Sequence, residues 1–163
     1  MQPKIILADY SDRFHGESML MLLESYAIDP MGGGKPLSET VKANLIGSLL
    51  NHPTAFSVLS FVDDKPAGLV NCFEAFSTFE CKPLVNIHDV IVLKEYRALG
   101  ISQLMLKKVE RIAREKGCCK LTLEVLEGNG PARHAYQKFG FAAYELDPAM
   151  GQAVFWQKKL KSD

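Results

Sequence analysis

Apolar residues along the chain change period several times, and each change marks an element. Short runs with alternation, bounded by turn residues, occur at "KIILAD", "AFSVLSFV", "AGLVNCFEAFSTF", "LVNIHDVIVL" and "KLTLEVLE", and these predict strands. Elsewhere the spacing is helical. Met19, Leu20, Leu22, Leu23 and Tyr26 follow Ser11 and Asp12, either of which can cap, and the helix must stop at the glycine- and proline-rich "DPMGGGKP". Val41, Leu45 and Leu49 lie four apart after the capping serine of "SET". Ile101, Met105, Val109, Ile112 and Ala113 form one stripe that Gly117 can end. A shorter helix is predicted over "NGPARHAYQKFG", with Asn129 as its cap and Pro131 in its first turn. Two last strands are expected around "FAAYELD" and "QAVFWQKKL". The order β-α-α-β-β-β-α-β-α-β-β is not a regular βαβ series. It implies an α/β chain of the α+β kind, with a mixed sheet and helices on its faces.

Composition narrows what such a chain does. Its 163 residues, 47% of them apolar, suit one domain over 1–163 with a sizeable core. Nineteen basic and nineteen acidic side chains leave no net field for a polyanion, so no nucleic-acid partner is expected. No apolar run reaches the roughly 20 residues of a membrane span, and charge comes too early for a signal peptide. No membrane partner and a cytoplasmic location are the expectation. Cys72, Cys81, Cys118 and Cys119 lack CxxC spacing and read as reduced packing residues, and no metal site is expected.

Candidate chemistry begins at "YRALGIS", between a strand and a helix. The first N–H groups of a helix have no partner within it and point, with the positive end of the dipole, at whatever precedes them, so an anion fits there. Ala98, Gly100 and Ser102 are small enough for close backbone approach. An ordinary connection with Gly100 at positive φ is the plain alternative. The dinucleotide fingerprint G-x-G-x-x-G is absent, and "GGGKP" fails as a P-loop because it follows a helix and lacks the serine or threonine.

The motif Arg97-Ala98-Leu99-Gly100-Ile101-Ser102 resembles the R/Q-x-x-G-x-G/A signature of the GCN5-related N-acetyltransferases, with serine in the last small position. "NGPARHAYQKFGF" matches that family's N-x-x-A-x-x-x-Y-x-x-x-G-F through Asn129, Ala132, Tyr136, Gly140 and Phe141. From about Phe73 to Phe141 the chain is most similar to the diamine and thialysine acetyltransferase branch, in "FSTF", "HDVIV" and "GCCKLTLEV". The first 70 residues resemble it only in their order of elements.

The resemblance implies a mostly antiparallel sheet of about six to seven strands, with helices on both faces and a splayed pair formed by "HDVIV" and "LTLEV". It implies acetyl-CoA as co-substrate, its pantetheine arm on backbone groups of Val90, Ile91 and Val92. The pyrophosphate would lie on the turn of Arg97, Ala98, Leu99, Gly100, Ile101 and Ser102, with Asn129 also at the cofactor. A backbone N–H near Val90 would stabilise the developing oxyanion. Tyr136 matches the family's acid, since a phenol stays protonated at neutral pH and can donate to sulfur. The acceptor implied is a small-molecule primary amine, attacking directly in a ternary complex. A non-catalytic acyl-CoA-binding or regulatory domain on the same fold is the alternative, and a homodimer is left open.

His88 and Asp89 interrupt a strand that is otherwise apolar, and a buried polar pair needs a reason. Where the diamine branch usually reads "LED", this chain reads "IHD". Imidazole can take the amine proton, and Asp89 can orient the ammonium group or the histidine. Against that reading, adjacent strand residues face opposite sides unless a bulge intervenes, which would leave His88 a core residue bonded to a backbone carbonyl. "DPMGGGKP" is expected to form a mobile loop over the acceptor site.

Overall fold

The computed structural model describes residues 2–160. They fall into two compact units, the first ending at Leu126 and the second beginning at Glu127.

In the first unit a five-stranded sheet has the order β1-β2-β3-β4-β5: Lys4–Leu7, Ala55–Val62, Lys65–Ser77, Lys82–Val92 and Leu121–Leu123. The first three pairings are antiparallel, and β4 with β5 is parallel. The β2–β3 turn places Asp63 and Asp64 at φ 48° and 59°, the left-handed pair that lets a two-residue hairpin match strand twist. Helix α1 (Arg13–Ile28) is capped by Asp12, whose side chain accepts from His15 N–H. Helix α2 (Glu39–Leu50) is capped by Ser38, which accepts from Val41 N–H. Both caps are ones the sequence offers.

Helices cover both faces of this sheet. Met19 and Leu22 of α1 and Leu49 of α2 pack on Leu59, Phe61, Leu69 and Ile91. Helix α3 (Ile101–Glu115) lies on the opposite face, burying Ile101, Met105, Leu106, Val109 and Ala113. Gly68, one residue from Leu69 and so turned the other way, marks where α3 comes closest. No helix among the described residues is long and apolar enough to cross a membrane.

In the second unit, helix α4 (Gly130–Phe139) has the expected cap: Asn129 accepts from Ala132 N–H at 3.3 Å. Gly140 ends it in the left-handed conformation, and Phe141 N–H returns to Tyr136 O at 3.0 Å.

Among the described residues the strand count differs from expectation, five rather than six or seven. "KLTLEVLE" contributes only Leu121–Leu123, and the two segments after α4 form a single antiparallel bridge, Glu145 with Gln152. Between them Asp147 caps a 3-10 turn, Pro148–Met150, and Gly151 reverses the chain at φ 80°. Val154, Phe155 and Trp156 stay exposed. Strand preference is expressed through cross-strand packing, and one bridge supplies none.

A Cβ at Gly68 would meet Met105 Cε at 2.8 Å and Ile91 O at 2.9 Å. The methionine can shift, but the carbonyl belongs to the ladder. Gly68→Ala is expected to lower stability by about 1–3 kcal/mol through overpacking, read as a lower urea midpoint at unchanged m.

Candidate active site

The site is organised by one irregularity in β4. Asn71 of β3 lies opposite Asp89, whereas Cys72 lies opposite Ile87, so His88 is an extra residue, a β-bulge. The bulge cancels the alternation that would put His88 and Asp89 on opposite faces. Asp89 Oδ2 accepts from Asn71 Nδ2 at 2.9 Å, and the His88 ring meets Phe73 edge-on with centroids 5.5 Å apart. Asn71 and Phe73 are two apart on β3 and share a face, so both polar side chains come to the α1 side of the sheet. The expectation of a buried pair fails for His88, which is exposed, with Nδ1 3.3 Å from Asn86 Oδ1. Asp89 is half-buried.

At the same place β5 stops. Its ladder with β4 runs only from Val85–Leu121 to Ile87–Leu123, and from Asp89 to Val92 the strand pairs on its β3 side alone. Leu93 N–H donates to Ala67 O at 3.0 Å, which makes 67/93 a hydrogen-bonded pair. Counting back by two, Ile91 and Asp89 also bond β3, while the main-chain groups of Val90 and Val92 point to the side β5 has left. Ile91 therefore differs from the expectation: its backbone faces Leu69, and its side chain is core.

After β4 comes the turn 97–102. Ala98 and Gly100 both take left-handed φ, 64° and 74°. Gly100 caps α3 with no side-chain hydrogen bond, and the position of its absent Cβ has nothing within 4 Å. Successive N–H groups in such a turn converge as an anion-binding nest, backed here by the helix dipole. Ser102 is half-buried and Leu99 exposed, while the Ile101 side chain anchors the turn in the core. The Arg97 side chain is exposed but reaches back along the chain: Nε donates to Val92 O at 3.2 Å and a terminal nitrogen lies 3.9 Å from Asp29 Oδ2.

Asp29 begins the segment expected to be a mobile loop. Its side chain accepts from Met31 N–H at 3.0 Å and caps a 3-10 turn, Pro30–Gly32. Lys35 N–H returns to Ala27 O, Leu37 N–H donates to Glu24 Oε2 at 2.8 Å, and Lys42 pairs with the other Glu24 oxygen at 3.1 Å. The segment is a hydrogen-bonded turn. Tyr26, half-buried at the end of α1, donates to Met31 O at 3.3 Å. Burial pushes its phenol pKa up, with the negative charges of Asp89 and Asp29 adding to the effect. Burial, then Asp89, likewise pushes up the Cys72 thiol, which makes it no nucleophile at neutral pH.

The sequence reading passes over Asn71. It sits in an apolar run, "GLVNCF", as conspicuous there as His88 and Asp89 are in theirs, and the same argument would have found it. In the second unit, Tyr136 is half-buried and packs edge-on against Phe141, with centroids 6.0 Å apart.

The description of the acetyltransferase (GNAT) family fits residues 19–141, and the chain belongs to that family. Streptothricin acetyltransferase of Streptomyces lavendulae is 38% identical over 82 residues, 50% of this chain and 43% of that protein. Thialysine N-epsilon-acetyltransferase of Bos taurus is 38% identical over 71 residues, 44% of this chain and 41% of that protein. Each match spans less than half the length of the relative. Among solved structures, AAC(6′)-Iy in complex with the bisubstrate analog CoA-S-monomethyl-acetylneamine is similar with a TM-score of 0.74. At 17% identity over 98% of this chain and 100% of that one, this is a likeness of fold.

The Glu24 carboxyl is held below its ordinary value, first by the Leu37 N–H and then by Lys42, against the opposing effect of burial. A depressed carboxyl stabilises the fold above its ordinary pKa of 4.5 and loses that contribution as pH falls through the folded value. The protection factor of the Leu37 amide is expected to drop below that pH and, in Glu24→Ala, to be low at neutral pH already. Unchanged protection in the variant would mean that the loop is held otherwise.

Proposed function

We propose that the protein is an acetyl-CoA-dependent N-acetyltransferase that passes the acetyl group to a primary amine by direct attack in a ternary complex. The observation that carries this reading is the outward main chain of Val90 and Val92 where β5 ends, continuing into the anion-binding turn 97–102. An extended, amide-bearing chain can bond to those strand groups as an added strand would, and its phosphates then fall at the helix N-terminus. A pantetheine–pyrophosphate has that order of groups. The main chain of Arg97 is the part proposed for the phosphate, since its Nε is bonded to Val92 O.

In the proposed reaction the amine nitrogen forms a bond to the acetyl carbon, the carbon–sulfur bond breaks, and the amine proton leaves. The Val90 N–H is the donor for the developing oxyanion. Asp89, a half-buried carboxylate held by no ion pair among the described residues, draws in the acceptor as its ammonium form. His88, brought to the same face by the bulge, takes one ammonium proton directly or through water and so frees the attacking lone pair; the second proton leaves nitrogen for solvent after the attack and balances the one given to sulfur. Motif spacing alone assigns Tyr136 the return of a proton to the thiolate and Asn129 a part in cofactor binding. The chain is proposed to act as a single domain, with no metal. The names of its relatives favour a small cationic acceptor, an amino acid or amino-sugar amine.

Release of free thiol from acetyl-CoA, followed across a panel of diamines, thialysine-like amino acids and aminoglycosides, tests the reading directly. Binding of CoA without thiol release from any amine would turn the reading to a binding module. Gly100→Glu is expected to abolish CoA binding in a folded protein, because its side chain fills the open space at the turn. Gly100→Ala, equally left-handed but small, should bind, and unchanged CoA affinity in the glutamate variant would remove the turn from the site. Tyr136→Phe is expected to lower kcat about 100-fold at unchanged acetyl-CoA affinity, as loss of an acid does. Undiminished turnover would assign that proton to another group.

A further inference from the structure

Asp89 is the end of a row of hydrogen bonds that crosses the sheet. Asn71 Nδ2 donates to Asp89 Oδ2 at 2.9 Å, Ser57 Oγ bonds Asn71 Oδ1 at 2.7 Å, and Tyr10 OH bonds Ser57 Oγ at 2.9 Å. The contributors come from β4, β3, β2 and the segment after β1, where Ala8 N–H bonded to Ser57 O at 2.8 Å keeps Tyr10 within reach. Ser57 is 1% and Asn71 5% exposed, each flanked by buried strand residues.

The carboxylate fixes the direction of the whole row. An ionised carboxylate only accepts, so the amide must turn its NH₂ to Asp89 and its oxygen to Ser57. Ser57 then has to donate to that oxygen, which leaves its own lone pairs for Tyr10, and Tyr10 has to donate. Burial pushes the Tyr10 phenol pKa up, keeping it protonated for that task. Each donation strengthens the next, so the last donor, the Asn71 amide, is more acidic than a free amide and binds the carboxylate better. A neutral amide cannot pass protons along such a row in ordinary conditions. The row therefore orients a charge and does not relay one.

The geometry points to Asn71 as a positioning residue for the acceptor amine, with Ser57 and Tyr10 as its supports: together they hold Asp89 aimed at the acceptor's ammonium group. One Asp89 oxygen is committed to Asn71, which leaves the other for a single cationic nitrogen. This rests on the reading above that Asp89 anchors the acceptor. It adds that the anchoring is set from within the sheet, three strands deep, before any ligand arrives.

The test is a double-mutant cycle on steady-state kinetics, using an amine and acetyl-CoA as substrates. Asn71→Ala is expected to raise KM for the amine about 10-fold, the scale of one lost charge-assisted hydrogen bond, with KM for acetyl-CoA unchanged. In an Asp89→Asn background the same change should cost almost nothing, because the group it serves is gone. Ser57→Ala should give a smaller rise of the same kind and Ser57→Thr, which keeps the hydroxyl, should restore the parent KM. Both also serve if Asn71→Ala does not fold. An Asn71 effect of equal size in both backgrounds, or one that falls equally on acetyl-CoA, would overturn the inference. If Asp89→Asn alone leaves the amine KM unchanged, the anchoring role of Asp89 fails, and the inference with it. If Asp89→Asn raises that KM while Asn71→Ala and Ser57→Ala do not, only the inference fails.

Discussion

A strand can offer its backbone to a ligand only where its neighbour has let go, and the structure depends on how β4 meets that constraint. On one edge β4 stays paired with β3 to Val92, while on the other its ladder with β5 ends at Ile87. An inner strand thus keeps its rigidity and turns the main-chain groups of Val90 and the N–H of Val92 outward, while the Val92 carbonyl is held by Arg97. Bare strand edges invite aggregation, and native chains leave them where they have a use. The extra residue, His88, stands where the pairing changes.

The same bulge organises the other side of the chemistry. By shifting the register by one residue it sets His88 and Asp89 on the α1 face, beside Phe73 and Asn71. The core above that region is built from Leu59, Leu69 and Ile91 against α1, so the polar cluster is the continuation of an apolar face. The other face belongs to α3, whose N-terminus follows the turn proposed to hold the phosphate. In the proposed reading one strand therefore supplies a main-chain edge for one ligand and two side chains for another. Because the bulge sets both, their spacing does not depend on a flexible loop.

Much of this was legible in the sequence because it is local. The caps at Asp12, Ser38 and Asn129, the left-handed glycine at Gly117 and the stripe of α3 each follow from a few neighbouring residues. Whatever depends on pairing was not. The segments around Tyr144 and Phe155 have strand-like composition, but no ladder forms on them beyond one bridge. The side of β4 to which Ile91 turns its backbone follows from a register set at Ala67 and Leu93, which no residue of "HDVIV" announces. The orientation of His88 needed the bulge, and the role of Asn71 needed the knowledge that Ser57 and Asp89 flank it.

Amide hydrogen exchange with and without CoA tests the central claim most directly. The account predicts that CoA slows exchange at Val92 and across 97–102 and that acetyl-CoA, which brings the acyl oxygen, slows Val90 as well, leaving Ile91, already bonded to β3, nearly unchanged. Slowing confined to other parts of the chain, with Val90, Val92 and the turn unaffected, would contradict it.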